Sequence, residues 1–151
     1  MNLVDIVYGL EAQSDEHLFY INRNSGGVTH ISVRFLQMAQ YSEEIRGMGK
    51  WEEAELHSAK KLLQSPDDFI LLPKMPSIQD MLIQFAMTIE DVELQSELLQ
   101  TVQDTGMFRP VRALLQSHDL LDEWYGFREE VYIEVARTFC EKHGLNYKQR
   151  T

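Results

Sequence analysis

The sequence predicts an α+β fold that is mainly helical, with a small antiparallel sheet near the N-terminus. Two segments within residues 17–33 are rich in β-branched and aromatic side chains, and a turn with two glycines separates them. In most of the remaining chain, apolar residues recur at spacings of three and four, which is typical of amphipathic helices. This helical spacing continues beyond Pro76, so a helical C-terminal half is expected.

The length and composition predict one domain over residues 1–151, with an α+β part at 1–75 and a helical part at 76–151. The 151 residues are 44% apolar, and a globular chain of this size buries roughly 70% of its unfolded surface. The single cysteine, Cys140, has no partner for an internal disulfide. We expect Cys140 to be a small core residue.

The net charge, the lengths of the apolar stretches and the first residues of the chain limit the possible partners and location. Fourteen Lys and Arg residues against 24 Asp and Glu residues leave a net charge of −10, which disfavours binding to nucleic acid. No stretch approaches the roughly 20 apolar residues of a membrane span. The first residues also lack the basic region and apolar core of a signal peptide. A soluble cytoplasmic protein without a membrane partner is expected.

The first predicted elements are a short helix and a β-hairpin. Asn2 can cap a short helix, in which Leu3, Ile6, Val7 and Leu10 recur at helical spacing. Residues 17–21 and 28–33 are the predicted strands, and the glycines between them permit the positive φ angles of a tight turn. A two-stranded hairpin is marginally stable by itself, and residues 69–72 are a possible third strand.

Two helices are predicted between the hairpin and the third strand. The first begins at Phe35 and ends at Gly47 or Gly49. The second spans residues 51–64. Its expected core residues are Trp51, Ala54, Leu62 and Leu63.

The C-terminal half is predicted to contain four helices. Ser77 and Asp91 are the expected N-caps of the first two, and Gly106 ends the second. The last helix is expected from about Leu120 to His143. Its apolar stripe comprises Trp124, Phe127, Val131, Val135 and Phe139.

Known catalytic and cofactor-binding motifs do not occur in the sequence. The five histidines lie far apart, and no spacing typical of metal ligands is present. Glu53 and His57 are four residues apart and are interpreted as an exposed pair on a helix surface. We therefore predict no metal and no cofactor, and assign no catalytic residue.

One cluster of cations lies in the second half of the chain. Arg109, Arg112 and Arg128 are three of seven cations in this acidic half. Pro110 disfavours helical geometry at the residue before it, so the helix is expected to start at or just after Arg109. Arg112 then lies in the first turn, where a cation opposes the helix dipole.

Two interpretations of these arginines remain open. An internal network would pair them with nearby carboxylates, which are Glu123, Glu129 and Glu130. An external partner would instead offer a carboxylate or phosphate to the guanidinium groups and the free N–H groups of the helix N-terminus. Trp124 is expected in the core and Tyr125, on another face, at the surface. The candidate binding residues are Arg109, Arg112, Tyr125 and Arg128.

Residues 106–109 (Gly-Met-Phe-Arg) and 124–128 (Trp-Tyr-Gly-Phe-Arg) resemble the pattern of a bacterial family, uncharacterised protein family 0158. The short helix, glycine-rich hairpin and extended segment of the first half are also similar to that family. Pro110 departs from the family pattern, and residues 34–52 lack its acidic run. The family has no assigned activity, so the resemblance implies a small bacterial cytoplasmic protein.

Two functions follow as hypotheses. The first is a non-catalytic binding or regulatory module that engages an acidic protein segment or a phosphate-bearing ligand through the arginines. The alternative is a small enzyme, such as a hydrolase, whose site assembles from scattered acids with His118 and Arg128. The sequence leaves the oligomeric state open.

Overall fold

The computed structural model describes residues 1–41 and 49–148, and the chain divides into two compact units. Unit 1 contains Met1–Lys74 and the described residues from Ala136 onward, and unit 2 contains Met75–Val135. The structure is 64% helical with a three-stranded antiparallel sheet near the N-terminus, which confirms the predicted α+β class. That the chain forms one domain stays a prediction.

Unit 1 combines the sheet with helices. In chain order it contains α1 (Leu3–Ala12), β1 (His17–Asn22), β2 (Val28–Ser32), α2 (Val33–Gln40), α3 (Lys50–Gln64) and β3 (Phe69–Leu71). Unit 2 is helical. It contains α4 (Ile78–Ala86), α5 (Val92–Thr105), α6 (Phe108–Ser117) and α7 (Leu121–Lys142) as far as Val135. None of the described helices is both long and apolar enough to cross a membrane.

The sheet confirms the predicted hairpin and third strand. β1 lies in the centre and pairs antiparallel with β2 on one side and β3 on the other. In the turn, the backbone N–H of Asn22 donates to the carbonyl of Gly27 at 2.9 Å. Gly26 has a φ of 73°, a conformation that glycine adopts without steric cost.

The helix after the hairpin differs from its prediction at both ends. α2 begins at Val33, because the side chain of Ser32 accepts a hydrogen bond from the backbone N–H of Phe35 and caps the helix. The helix ends at Gln40, so the predicted end at Gly47 or Gly49 is wrong. Gly49 is instead the N-cap of α3, and Gly47 lies outside the described residues.

The core of unit 1 buries a different face of α3 from the one predicted. Trp51, Ala54 and Leu63 are exposed, whereas the predicted core residue Leu62 is buried. Spacings of three along α3 align its buried residues on one face toward β2 and α2. This core cluster comprises Ile31, Phe35, Met38, Leu56, Ala59 and Leu62.

The first two helices of unit 2 begin at the predicted N-caps, and the second ends where the sequence predicts. The side chain of Ser77 accepts a hydrogen bond from the N–H of Asp80, and the side chain of Asp91 caps α5 in the same way. Gly106 ends α5 with a φ of 58°. Buried residues from all four helices form the core: Met81, Leu82, Phe85, Ala86, Leu98, Val102, Val111, Leu115, Trp124 and Tyr132.

Cys140 is a core residue, as predicted, with no exposed surface. Burial raises the pKa of the Cys140 thiol, so little reactive thiolate forms at neutral pH. We expect a thiol reagent to modify the folded protein at least about tenfold more slowly than the same protein in denaturant, because reaction requires local opening. Equal rates in the two conditions, measured by mass spectrometry, would contradict this burial.

Candidate functional site

The helix that holds the first two arginines begins earlier than predicted. α6 starts at Phe108 with Met107 as its N-cap, so Arg109 and Pro110 both lie in the first turn. The first four N–H groups of a helix have no partner within the helix, and proline is tolerated there because it has no N–H to lose. Arg112 therefore lies in the second turn, and Arg109 is the cation that opposes the helix dipole.

Arg109 and Arg112 are both exposed. Three residues apart on α6, they are neighbours on one side of the helix. Neither forms a salt bridge with a carboxylate in the part of the chain that the structure describes. The internal carboxylate network is therefore not seen for these two arginines within residues 1–41 and 49–148.

Arg128 has a different environment. Its side chain is half-buried, and its guanidinium carbon lies 5.3 Å from the centre of the Tyr132 ring. One terminal nitrogen, Nη2, is 3.4 Å from the Tyr132 hydroxyl, to which it donates a long hydrogen bond. The buried Nε atom has no hydrogen-bond partner among the described residues. The ring and hydroxyl of Tyr132 thus hold Arg128 in place.

The two adjacent aromatic residues of α7 lie where the sequence predicts. Trp124 is 1% exposed and belongs to the core, whereas Tyr125 is 42% exposed. Tyr125, Arg128 and Tyr132 follow at spacings of three and four, which places them on one side of α7. The phenol of Tyr125 is therefore available at the surface beside Arg128.

A ring contact brings these parts of α6 and α7 together. The rings of Phe108 and Trp124 have their centres 6.4 Å apart. Arg109 and Arg112 follow Phe108 on α6, and Tyr125 and Arg128 follow Trp124 on α7. We give the name arginine–tyrosine surface to the side chains of Arg109, Arg112, Tyr125 and Arg128; that the four act as one surface belongs to the proposal below.

The positive charges of unit 2 lie close together, on α6 and α7. Residues 75–135 include twelve acidic side chains and three basic ones. The three basic ones are the arginines of the arginine–tyrosine surface. Every Lys or Arg side chain of this unit therefore lies within about one helical turn of the Phe108–Trp124 contact in the chain, whereas α6 itself carries no acidic residue and the negative charges lie on α4, α5, α7 and the segments between the helices.

An apolar cleft of about 180 Å³ lies at the turn before α6. Its mouth exposes apolar side chains, since Ile78 is 46% and Met107 is 66% exposed. Gly106 and Phe108 also line the cleft, so it lies directly beside Arg109 in the chain. The other lining residues are Gln79, Leu82, Val102 and Val111.

His118 and Arg128, the residues of the alternative enzyme hypothesis, do not meet in this cleft. His118 is exposed at the C-terminal end of α6. It lies nine residues from Arg109, or roughly 14 Å along the helix axis. Neither His118 nor Arg128 lines the cleft at Met107.

One polar cluster in unit 1 escaped the sequence analysis. His17 and His30, which are 13 residues apart in the chain, lie in hydrogen-bond contact across the hairpin, and Glu55 of α3 approaches His30. The sequence offers no reason to join these two histidines, because residues 13 positions apart do not match the spacing of metal ligands on a helix. The available signal was the hairpin itself, which returns the chain so that His30 lies opposite Phe19, two residues from His17.

No protein-family model matches the chain, and comparison with curated proteins and solved structures found no significant similarity. Membership of uncharacterised protein family 0158 therefore stays a prediction.

Proposed function

We propose that the protein is a non-catalytic binding or regulatory module that docks an acidic segment of another protein on the arginine–tyrosine surface. The observation that carries the proposal is the exposure of Arg109 and Arg112 without a described carboxylate partner, in a unit whose other charges are negative. A bacterial, cytoplasmic location belongs to the same proposal and rests on the family resemblance.

The chemistry of the surface favours carboxylates. A guanidinium group donates two parallel hydrogen bonds to a carboxylate, and such charged hydrogen bonds are roughly twice as strong as neutral ones. The first turn of α6 adds backbone N–H groups without partners in the helix. Unit 2 repels acidic segments elsewhere, so the arginines determine where such a segment docks.

The neighbouring cleft favours a peptide over a simple phosphate ion. A phosphate ion uses the arginines but leaves the apolar cleft at Met107 empty. A protein segment that combines acidic residues with one large apolar side chain uses both features. Tyr125 adds an exposed ring of the kind that is enriched in protein interfaces.

Binding to a short synthetic peptide, rich in glutamate and containing one leucine, tests this proposal. We expect the variant R109Q/R112Q to bind at least about tenfold more weakly than the unmodified protein, because a charged hydrogen bond contributes about 1.5–3 kcal/mol. Fluorescence anisotropy of the labelled peptide measures the change. Thermal unfolding should be nearly unchanged, since both arginines are exposed.

A matched control removes two exposed cations from another helix. The variant K60Q/K61Q on α3 changes the net charge by the same amount and should bind the peptide as the unmodified protein does. Equal losses in the two double variants would contradict a specific surface. If inorganic phosphate binds as tightly as the peptide and through the same arginines, the partner is a phosphate-bearing ligand and not an acidic protein segment.

A further inference from the structure

His17 and His30 face each other across the β-hairpin of unit 1. In the register of β1 and β2, Phe19 lies opposite His30, so the two histidines form a diagonal pair on the same face of the sheet. The Nδ1 atom of His17 is 2.9 Å from the Nε2 atom of His30. The centres of the two rings are 5.0 Å apart. Two imidazole nitrogens are thus directed at a single point.

Glu55 lies beside the ring nitrogen of His30 that points away from His17. Its carboxylate accepts the backbone N–H of Ser32 at 2.8 Å, which fixes it beside β2. One of its oxygens lies 3.9 Å from the Nδ1 atom of His30, and its side chain is 14% exposed. The other ring nitrogen of His30, Nε2, is the one that faces His17.

We propose that His17 and His30 bind a divalent ion of the late first transition series, such as Cu²⁺, Ni²⁺ or Zn²⁺. Two nitrogens bound to one tetrahedral ion at 2.0–2.1 Å lie about 3.3 Å apart. The observed 2.9 Å reaches this separation when the rings move slightly apart, and both side chains are exposed enough to do so. The ion takes the place of the hydrogen between the two nitrogens, and the ring that donated it becomes the other neutral tautomer, with the proton on its second nitrogen.

Glu55 is a positioning residue in this site rather than a ligand. It approaches His30 on the ring nitrogen that points away from His17, which is the usual place of a carboxylate that orients a histidine ligand. Within the described residues, no group of three or more His, Cys, Asp and Glu side chains is arranged to hold a metal. The two imidazoles are therefore the protein's ligands, and water completes the coordination.

An open cleft gives the ion access to solvent. The cleft has a volume of about 480 Å³, and its walls include His17, His30 and Glu55. Trp51 lines the same cleft and is 68% exposed. Because Cu²⁺ quenches indole fluorescence at short range, Trp51 provides a reporter within the cleft. For imidazole ligands we expect Cu²⁺ to bind more tightly than Ni²⁺ or Zn²⁺.

Titration of the untagged protein with Cu²⁺, Ni²⁺ and Zn²⁺, followed by calorimetry, tests the proposal. We expect one ion per chain and a rise in Tm when the ion is present, since it joins β1 to β2. The variants H17A and H30A should each lose this site, and so should the double variant H17Q/H30Q. The variant H57A removes an exposed histidine from α3 and should bind the ion as the unmodified protein does.

Two further variants separate positioning from folding. E55Q keeps an oxygen that accepts the Ser32 N–H but loses the charge, and we expect it to weaken binding about tenfold. W51F should remove most of the quenching by Cu²⁺ while leaving the calorimetric affinity unchanged. Far-UV circular dichroism in the absence of metal verifies that each variant folds. Equal affinity in H17Q/H30Q and the unmodified protein would overturn the proposal, and so would the absence of any binding by the unmodified protein.

Discussion

Replacement of Trp124 by alanine is expected to lower the free energy of unfolding by about 3–5 kcal/mol. The indole is 1% exposed and lies among three aromatic rings, with ring centres at 5.6 Å from Phe85 and 6.4 Å from both Phe108 and Phe127. Its removal eliminates buried apolar area and leaves a cavity that helices α4 and α6 cannot fill without moving. Urea denaturation followed by circular dichroism measures the loss.

The neighbouring residue provides the control for this experiment. Tyr125 is 42% exposed, so Tyr125→Ala should change the unfolding free energy by less than about 1 kcal/mol. If Tyr125→Ala lowers the unfolding free energy as much as Trp124→Ala does, then α7 is rotated about its axis relative to the structure described above. The arginine–tyrosine surface would then be wrong as well, since it depends on the exposure of Tyr125.

Ile31→Ala should lower the free energy of unfolding by about 2–5 kcal/mol. Ile31 has no exposed surface and belongs to the cluster that joins β2 to α2 and α3. The shorter side chain removes apolar contacts on the side of the sheet that these helices cover. Chemical denaturation gives the size of the effect.

Thr29→Ala is the matched control on the same strand. Thr29 lies two residues before Ile31 and points to the same face, but it is half-buried. We expect a loss below about 1 kcal/mol, within the range of strand propensities. If the two variants lose similar amounts of unfolding free energy, then the position on this face of the sheet determines the loss, and the extent to which each side chain is buried does not.

Much of the fold was predictable because it depends on neighbouring residues. Ser77 and Asp91 satisfy the N–H groups of the residues that follow them, and glycines occupy positive φ angles in the hairpin turn and after α5. The different exposures of Trp124 and Tyr125 follow from helical geometry alone. Such features require no knowledge of what the element packs against.

Three predictions failed, one on a buried position and two on the ends of helices. The apolar character of Trp51 suggested a core position, but the ring has one edge contact with Phe35 at 6.3 Å and is otherwise exposed. α2 ends at Gln40, well before the glycines that were expected to stop it. The helix preference of the chain at Arg109 likewise outweighs the bias that Pro110 imposes on the preceding residue.

The candidate sites divide in the same way. The arginine–tyrosine surface was visible in the sequence, because its four residues lie within 20 positions of one another in an acidic region. The His17–His30–Glu55 cluster was not visible, since it joins residues from β1, β2 and α3.

The sequence by itself determined the caps, the hairpin turn, the helical periods and the concentration of cations in residues 109–128. Hydrogen bonds and side-chain spacing over a few residues are sufficient for all of these. Only the tertiary structure decided which face of α3 is buried, how Arg128 is held by Tyr132, and which histidines meet. Strand pairing and helix packing act between segments that are far apart in the chain, so no local pattern encodes them.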